Sequence, residues 1–410
     1  MKRLLSALCG WLLWLGHAAL RLARSIRSLL GPSQGWTGMK RWLLQIVTLS
    51  MLVGISGFLV AALGLIPIKA SSGHWPITAW FLHFTMTRSV STHTIGVEVP
   101  ALDEPGMVLK GATHYATGCF PCHGDPSIQH PRIAMQMTPH PPYLPPIVDQ
   151  WEPEELFYIV KHGVKFTGMP AWPAQQRDDE VWAIVAFLKK FPELEAEEYQ
   201  RMVNGDSKII GEATPLEVLS GRNSAAQSIS ESCNRCHGAD GQGREKGVAP
   251  KIAGQKPDYL EASLEAYSLG KRHSGIMEPI AVGLSRDARR EIAQYYGSLS
   301  ASHAPLTSTE SELAAAHRGA TIAQEGVPKS RVPICVQCHG PSDNPRNSAY
   351  PNLAGQYAGF LMRQLELFAN DHRGGSEFAS LMHPVAAALT PEQMLDVAQY
   401  YESLPVSIGP

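Results

Sequence analysis

The first 99 residues of this 410-residue chain hold almost no acid, with Glu98 alone against nine Lys and Arg. Residues 100–410 reverse the balance, with 26 basic and 36 acidic side chains. Nucleic acid needs a basic face on the folded part, so this distribution excludes it as a partner. Strand-like alternation is nearly absent, and the 31 prolines and 36 glycines imply many turns. An all-α fold is therefore expected. There is no Walker A pattern, no Rossmann glycine pattern and no GxSxG, so hydrolases and transferases of those kinds lack their anchoring residues. At 410 residues the length implies two to four domains.

What the N-terminal part does have is one long uncharged run. Trp42 to Ile68 is 27 residues, bracketed by Lys40-Arg41 and Lys69. At about 1.5 Å per residue, roughly 20 residues cross a hydrocarbon core. A cleaved signal has an apolar region of only about 7–15 residues, so an uncleaved transmembrane helix over 42–68 is the expectation. Seven Lys/Arg precede the run and two, Lys69 and Arg88, lie in the twenty residues after it. The positive-inside rule then keeps the N-terminus in the cytoplasm and puts the rest outside. Trp75, Trp80, Phe81 and Phe84 fall where an aromatic belt belongs, in a juxtamembrane segment over 69–99. Residues 1–41 read as a cytoplasmic or interfacial segment, with an amphipathic helix first, a short second span next, and a start at Met39 as a further reading. Cys9 follows Leu8 rather than a small residue and carries little weight as a lipoprotein site.

The other six cysteines fall into three identical patterns: Cys119-Phe120-Pro121-Cys122-His123, Cys233-Asn234-Arg235-Cys236-His237 and Cys335-Val336-Gln337-Cys338-His339. This is the attachment signature for c-type haem. Two thiols a helical turn apart add to the two vinyl groups of one porphyrin, and the next imidazole reaches the iron. Zinc sites need a fourth ligand and other His spacings. Redox disulfides do not demand a His after the second Cys three times over.

A second axial ligand has one candidate per motif. Met169 lies 46 residues after His123, Met277 lies 40 after His237 and Met382 lies 43 after His339. The register of an internal repeat selects the last two. Ile252-Ala253-Gly254-Gln255 matches Leu353-Ala354-Gly355-Gln356, Met277 matches Met382, and Gln294-Tyr295-Tyr296 matches Gln399-Tyr400-Tyr401. Met362 and Met394 have no counterpart. His273, His372 and His383 are rival ligands, although His383 aligns with Glu278.

Each region reads as a small helical unit. Gly106–Gly118 leads into the first motif. Middle helices are expected over Pro153–His162, Pro257–Leu269 and Tyr357–Ala369. Last helices are expected over Asp178–Phe191, Ser285–Ser298 and Pro391–Ser403, with Thr390-Pro391-Glu392 the clearest start. Segments 192–214 and 299–311 are polar and read as linkers. The domains follow as 100–198, then a linker over 199–214, then 215–300 and 301–410. The acidic runs Asp103-Glu104, Asp178-Asp179-Glu180 and Glu193–Glu198 read as solvated faces or helix starts, with docking of a basic partner the rarer alternative.

On these residues the chain resembles the class I cytochrome c fold three times over, behind an N-terminal transmembrane helix. Residues 220–405 resemble the dihaem cytochromes of the c-four group, through the paired motifs, the AGQ segments, the methionine loops and the closing QYY helices. Residues 100–195 resemble a monohaem class I domain. Their TGMPAWP stretch is similar to those in cytochrome subunits of membrane-bound dehydrogenases and oxidases. The third region departs from the second, since Cys338-His339-Gly340-Pro341-Ser342-Asp343 lacks the Gly241-Gln242-Gly243 pattern.

The resemblance implies three covalent haem c groups with His/Met iron and no open position. Such a chain is an electron carrier or a non-catalytic electron-transfer subunit in a bacterial cytoplasmic membrane, with its haem domains in the periplasm. Donors would be a quinol-oxidising complex or a membrane dehydrogenase. Acceptors would be a terminal oxidase or a soluble cytochrome. The alternatives are an obligate subunit of an alcohol, sugar or aldehyde dehydrogenase, a peroxidase-like cytochrome with one open haem, and a zinc or thiol scaffold. By analogy with second-shell practice, Pro121 and the residues around Pro250-Lys251 and Pro351-Asn352 are expected to hydrogen-bond the proximal histidines.

Overall fold

The structure, a computed structural model, describes residues 38–66, 68–205, 232–244, 248–301, 309–341 and 346–405. Among them the secondary structure is helical, with no strand and two isolated β-bridges, Arg272 with Arg373 and Val327 with Val332. They fall into two units that divide after Ser72.

The first unit holds α1 (Gly38–Ala62). Its Trp42–Ala62 stretch is 21 residues long with a mean hydropathy of 2.2, long and apolar enough to cross a membrane. The helix stops short of the expected Ile68. Gly64 turns left-handed at φ 67°, and the Leu65 amide returns to the Val60 carbonyl at 3.1 Å, the bond that closes a helix through a glycine. The expectations for residues 1–37, and for the apolar lead into the second motif, lie outside the described residues.

The second unit opens with α2 (Pro76–His93), which docks by its C-terminal end. Val90 is buried, the Ser91 hydroxyl donates to Glu155 at 2.6 Å and His93 stacks on Tyr158. Trp75, Ile77, Trp80 and Phe81 at the other end are exposed.

A first helical group follows: α3 (Pro105–Gly118), α4 (Phe120–His123), α5 (Pro153–His162), α6 (Asp178–Lys190) and α7 (Ala196–Asn204). Tyr115, Phe187, Phe191 and Tyr199 pack ring against ring in its core, with Ile184 and Val185. Helices α3 and α6 cross at Gly111, where a Cβ would come within 1.8 Å of the Ala183 carbonyl oxygen. The segment read as a polar linker is not one throughout. Tyr199 and Val203 stand four residues apart on one face of α7 and are buried in this core, which holds the helix in place despite its polar remainder.

The second group is α8 (Asn234–His237), α9 (Pro257–Ser268), α10 (Met277–Val282) and α11 (Arg286–Ser298), packed about Leu284, Ala288, Ile292 and Tyr296. The third is α12 (Glu310–Glu325), α13 (Val336–His339), α14 (Ala358–Ala369), α15 (Ala379–Ala387) and α16 (Pro391–Ser403). Helices α12 and α16 cross as α3 and α6 do, with Gly319 at the crossing and its missing Cβ 1.9 Å from the Asp396 carbonyl oxygen. Local start signals place the last helices. Ser285 caps α11 by accepting from the Ala288 amide at 3.1 Å, and Thr390 forms a reciprocal capping box with Gln393. The N-cap position of α6 is Arg177, and Asp178, Asp179 and Glu180 fill the first turn, where the helix dipole favours acids.

Candidate functional site

Each Cys-x-x-Cys-His segment winds into one helical turn. The amides of Cys122 and His123 both bond the Cys119 carbonyl, at 3.1 and 2.9 Å, and those of Cys338 and His339 bond the Cys335 carbonyl at 3.1 and 3.0 Å. Residues three and four apart then share a side, so two thiols and one imidazole face the same way. The chain leaves each turn through a glycine at positive φ: Gly124 at 73°, Gly238 at 79° and Gly340 at 76°, a region costly for any residue with a Cβ. None of the six cysteines is disulfide-bonded. Burial pushes the Cys119 and Cys233 thiols up to about 12 and the Cys335 thiol up to about 11. That is the opposite of what a thiol exchanger requires.

The histidines are held alike. His123 Nδ1 meets the Pro142 carbonyl at 2.8 Å, His237 Nδ1 the Pro250 carbonyl at 2.9 Å and His339 Nδ1 the Pro351 carbonyl at 3.1 Å. A carbonyl only accepts, so each Nδ1 carries the proton and Nε2 keeps the lone pair that can bind a metal. Burial, opposed by that same hydrogen bond, holds all three imidazoles below their ordinary pKa. The expected acceptors Pro250 and Pro351 are therefore found, but Pro121 is not the one for His123. Pro121 lies inside α4, where carbonyls run along the helix axis, and the loop after the turn brings Pro142 back to the ring.

Met169, Met277 and Met382 are all half-buried. Met169 sits in a tight loop, its amide bonded to Thr167 Oγ1 at 3.1 Å and its carbonyl to the Val164 amide at 3.2 Å. Met277 begins α10 with its amide on Ser274 Oγ at 3.2 Å. Met382 packs with Phe368, Ala379 and Ala386, and the ring series His339, Tyr350, Phe378 runs from the third histidine to the start of its helix, with centroids 6.3 and 5.3 Å apart. His383 is no rival: its Nε2 faces the Arg373 carbonyl at 2.7 Å and its Nδ1 faces Asp371 at 2.6 Å.

Two buried features escaped the sequence. Glu180, 2% exposed, accepts from Trp172 Nε1 at 3.1 Å, the Ser274 hydroxyl at 2.7 Å and the Gly275 amide at 2.7 Å, beside Arg177 at 3.0 Å. Asp179 is paired with Lys110 at 3.0 Å and Arg177 at 2.8 Å. These two acids are interior, contrary to the solvated-face reading, because Arg177 beside them is joined by partners from distant parts of the chain, Lys110 at Asp179 and Ser274 and Gly275 at Glu180. The second feature is a pair of arginines. Arg272 is buried, bonded to Ser263 Oγ at 3.0 Å and Gln364 Oε1 at 3.4 Å, and Arg373 reaches the Tyr259 hydroxyl at 2.9 Å. Neither has a carboxylate partner among the described residues. Burial and the Arg272 charge bring Arg373 down to about 10. Against burial, the two guanidinium charges bring the Tyr259 phenol down to about 8. Two such cations, one buried and one half-buried, without a carboxylate are a place for an anion.

The family of cytochrome c oxidase cbb3-type subunit III matches residues 106–188, and the cytochrome c family matches residues 224–300. Cytochrome c-552 of Acidithiobacillus ferridurans is 35% identical over 187 residues, covering 44% of this chain and 76% of that protein. The thiosulfate dehydrogenase electron acceptor of Thiomonas intermedia is 33% identical over 183 residues, covering 45% and 83%. A solved cytochrome c4 structure from Acidithiobacillus ferrooxidans is 34% identical, with a TM-score of 0.37 over 42% of this chain and 98% of the other. The two family matches and the Acidithiobacillus ferridurans and Thiomonas intermedia relatives lead to one conclusion: the chain belongs to the cytochrome c family, binds haem c covalently and works by haem-based electron transfer.

Proposed function

We propose that this chain is a membrane-anchored relay of three haem c groups, one in each of three cytochrome domains over 100–198, 215–300 and 301–410. The observation that carries the reading is the threefold recurrence of one arrangement: a Cys-x-x-Cys-His turn, a left-handed glycine after it, and a proline carbonyl on the histidine Nδ1. Cys119 and Cys122, Cys233 and Cys236, and Cys335 and Cys338 would hold the porphyrins. His123 with Met169, His237 with Met277 and His339 with Met382 would complete the iron coordination. Bound there, haem supplies a one-electron couple whose potential the thioether ligand raises. Arg272 and Arg373 fit the anionic propionates that such a group brings.

The anchor would be α1, with the N-terminus in the cytoplasm and the haem domains in the periplasm of a bacterial cell. A membrane or periplasmic dehydrogenase, or a quinol-oxidising complex, would donate. A terminal oxidase or soluble cytochrome would accept. Because the Thiomonas intermedia relative is named as the electron acceptor of thiosulfate dehydrogenase, that enzyme is the first donor to try.

The test is carbon monoxide added to the dithionite-reduced full-length protein in detergent. With both axial positions filled by protein at every iron, the visible spectrum stays unchanged. A shift at any one haem would mark an open position and replace the relay with the peroxidase-like reading.

A further inference from the structure

The repeated AGQ segments have no part in haem attachment, yet both glutamines are buried, Gln255 at 8% exposure and Gln356 at 7%. Each side chain crosses to the other helical group. Gln356 Oε1 accepts the Lys251 amide proton at 3.0 Å, and its Nε2 donates to the Lys251 carbonyl at 2.8 Å. Gln255 Oε1 accepts the Asn352 amide proton at 2.9 Å, and its Nε2 donates to the Asn352 carbonyl at 2.9 Å. Flipping either amide would set donor against donor, so both orientations are fixed by the backbone.

The Lys251 N–H belongs to the same peptide plane as the Pro250 carbonyl, which accepts from His237. The Asn352 N–H likewise shares its plane with the Pro351 carbonyl, which accepts from His339. One resonance-coupled peptide thus separates each imidazole from the glutamine of the other group. A hydrogen bond accepted from the N–H end of an amide moves electron density to its oxygen. That strengthens the bond the imidazole donates, and with it the basicity of the ring toward iron. A more basic ligand stabilises the ferric state.

We propose that Gln255 and Gln356 are positioning residues that tune two haems reciprocally: Gln356 lowers the potential of the haem on His237, and Gln255 that of the haem on His339. The inference rests on those two histidines being iron ligands. The first region has no AGQ segment, so its haem is an internal reference.

The experiment is a potentiometric titration of the full-length protein in detergent, followed by electron paramagnetic resonance, with the ferric signals assigned through Met277→His and Met382→His. Gln356→Met is expected to raise the reduced-to-oxidised ratio of the His237 haem about threefold at fixed ambient potential, about 28 mV at about 59 mV per tenfold for one electron. The His339 haem should not move. Gln255→Met should give the mirror image. Gln356→Glu keeps the accepting oxygen and should not raise the His237 potential, whereas a merely structural role would move both variants alike. Equal shifts at both haems, a shift in the substituted group's own haem, or no shift at full haem content would overturn the proposal. Absence of the two histidine-ligated signals from the unmodified chain would instead overturn the ligand assignment, and the inference with it.

Discussion

The Glu180 carboxylate accepts a hydrogen bond from the Gly275 amide at 2.7 Å, across 95 residues of sequence. The contact ties the helix after one methionine loop to the loop before the next. Trp172, three residues after Met169, donates to the same carboxylate, and Ser274, three before Met277, donates beside it. Three hydrogen bonds and the Arg177 guanidinium at 3.0 Å thereby answer a buried charge, the condition under which it is tolerable inside a protein.

Removing it should be costly. Glu180→Ala leaves three buried donors without an acceptor and takes from Arg177 one of its two carboxylates, and about 3–5 kcal/mol of stability should be lost. Glu180→Gln keeps part of the acceptor capacity and should lose about 1–2 kcal/mol. Denaturant titration of the haem-loaded protein measures both. Equal losses in the two variants would mean that the charge is not what matters.

The helix crossings make a second prediction. Gly111→Ala and Gly319→Ala drive a methyl group into backbone at 1.8 and 1.9 Å and should each destabilise by about 3 kcal/mol. Gly359, on the exposed face near the start of α14, meets nothing within 4 Å, so Gly359→Ala should be neutral or stabilise by up to about 1 kcal/mol. Melting temperatures of the three variants decide it, and a harmless Gly319→Ala would contradict the close crossing.

Asp179 predicts the acid limb of stability. Burial would raise its pKa, but Lys110, Arg177 and Arg363 outweigh burial and hold the carboxyl well below the usual carboxylate range. The unfolded chain therefore takes up the proton first. The stabilisation is complete above about pH 4 and is lost as the pH falls through the depressed folded value. Asp179→Asn should accordingly flatten the decline of stability between about pH 4 and pH 2. Parallel curves for the two proteins would show that this carboxylate contributes nothing to acid unfolding.

What was legible in the sequence was what is local. The Cys-x-x-Cys-His turns need only five consecutive residues and a glycine. Helix starts such as Thr390-Pro391 carry their own capping partners, and α5 and α16 run over Pro153–His162 and Pro391–Ser403 as the pattern expects. What failed depends on distant chain. Pro142 reaches His123 only through the fold of an irregular loop, and α7 reads as polar because two residues, Tyr199 and Val203, hold it down. The acids Asp179 and Glu180 look like a solvated helix start until Lys110, Arg363 and Ser274 are brought to them. The AGQ repeat was visible as a pattern, but not that each glutamine serves the opposite group.

The most direct measurement is the haem-to-chain ratio of the purified full-length protein by pyridine haemochrome assay, repeated on Cys119→Ser/Cys122→Ser, Cys233→Ser/Cys236→Ser and Cys335→Ser/Cys338→Ser. The expected result is three c-type haems per chain and two in each substituted protein. A ratio of two in the unmodified chain, with one substitution leaving it unchanged, would contradict the triple-haem relay and identify the turn that carries no haem.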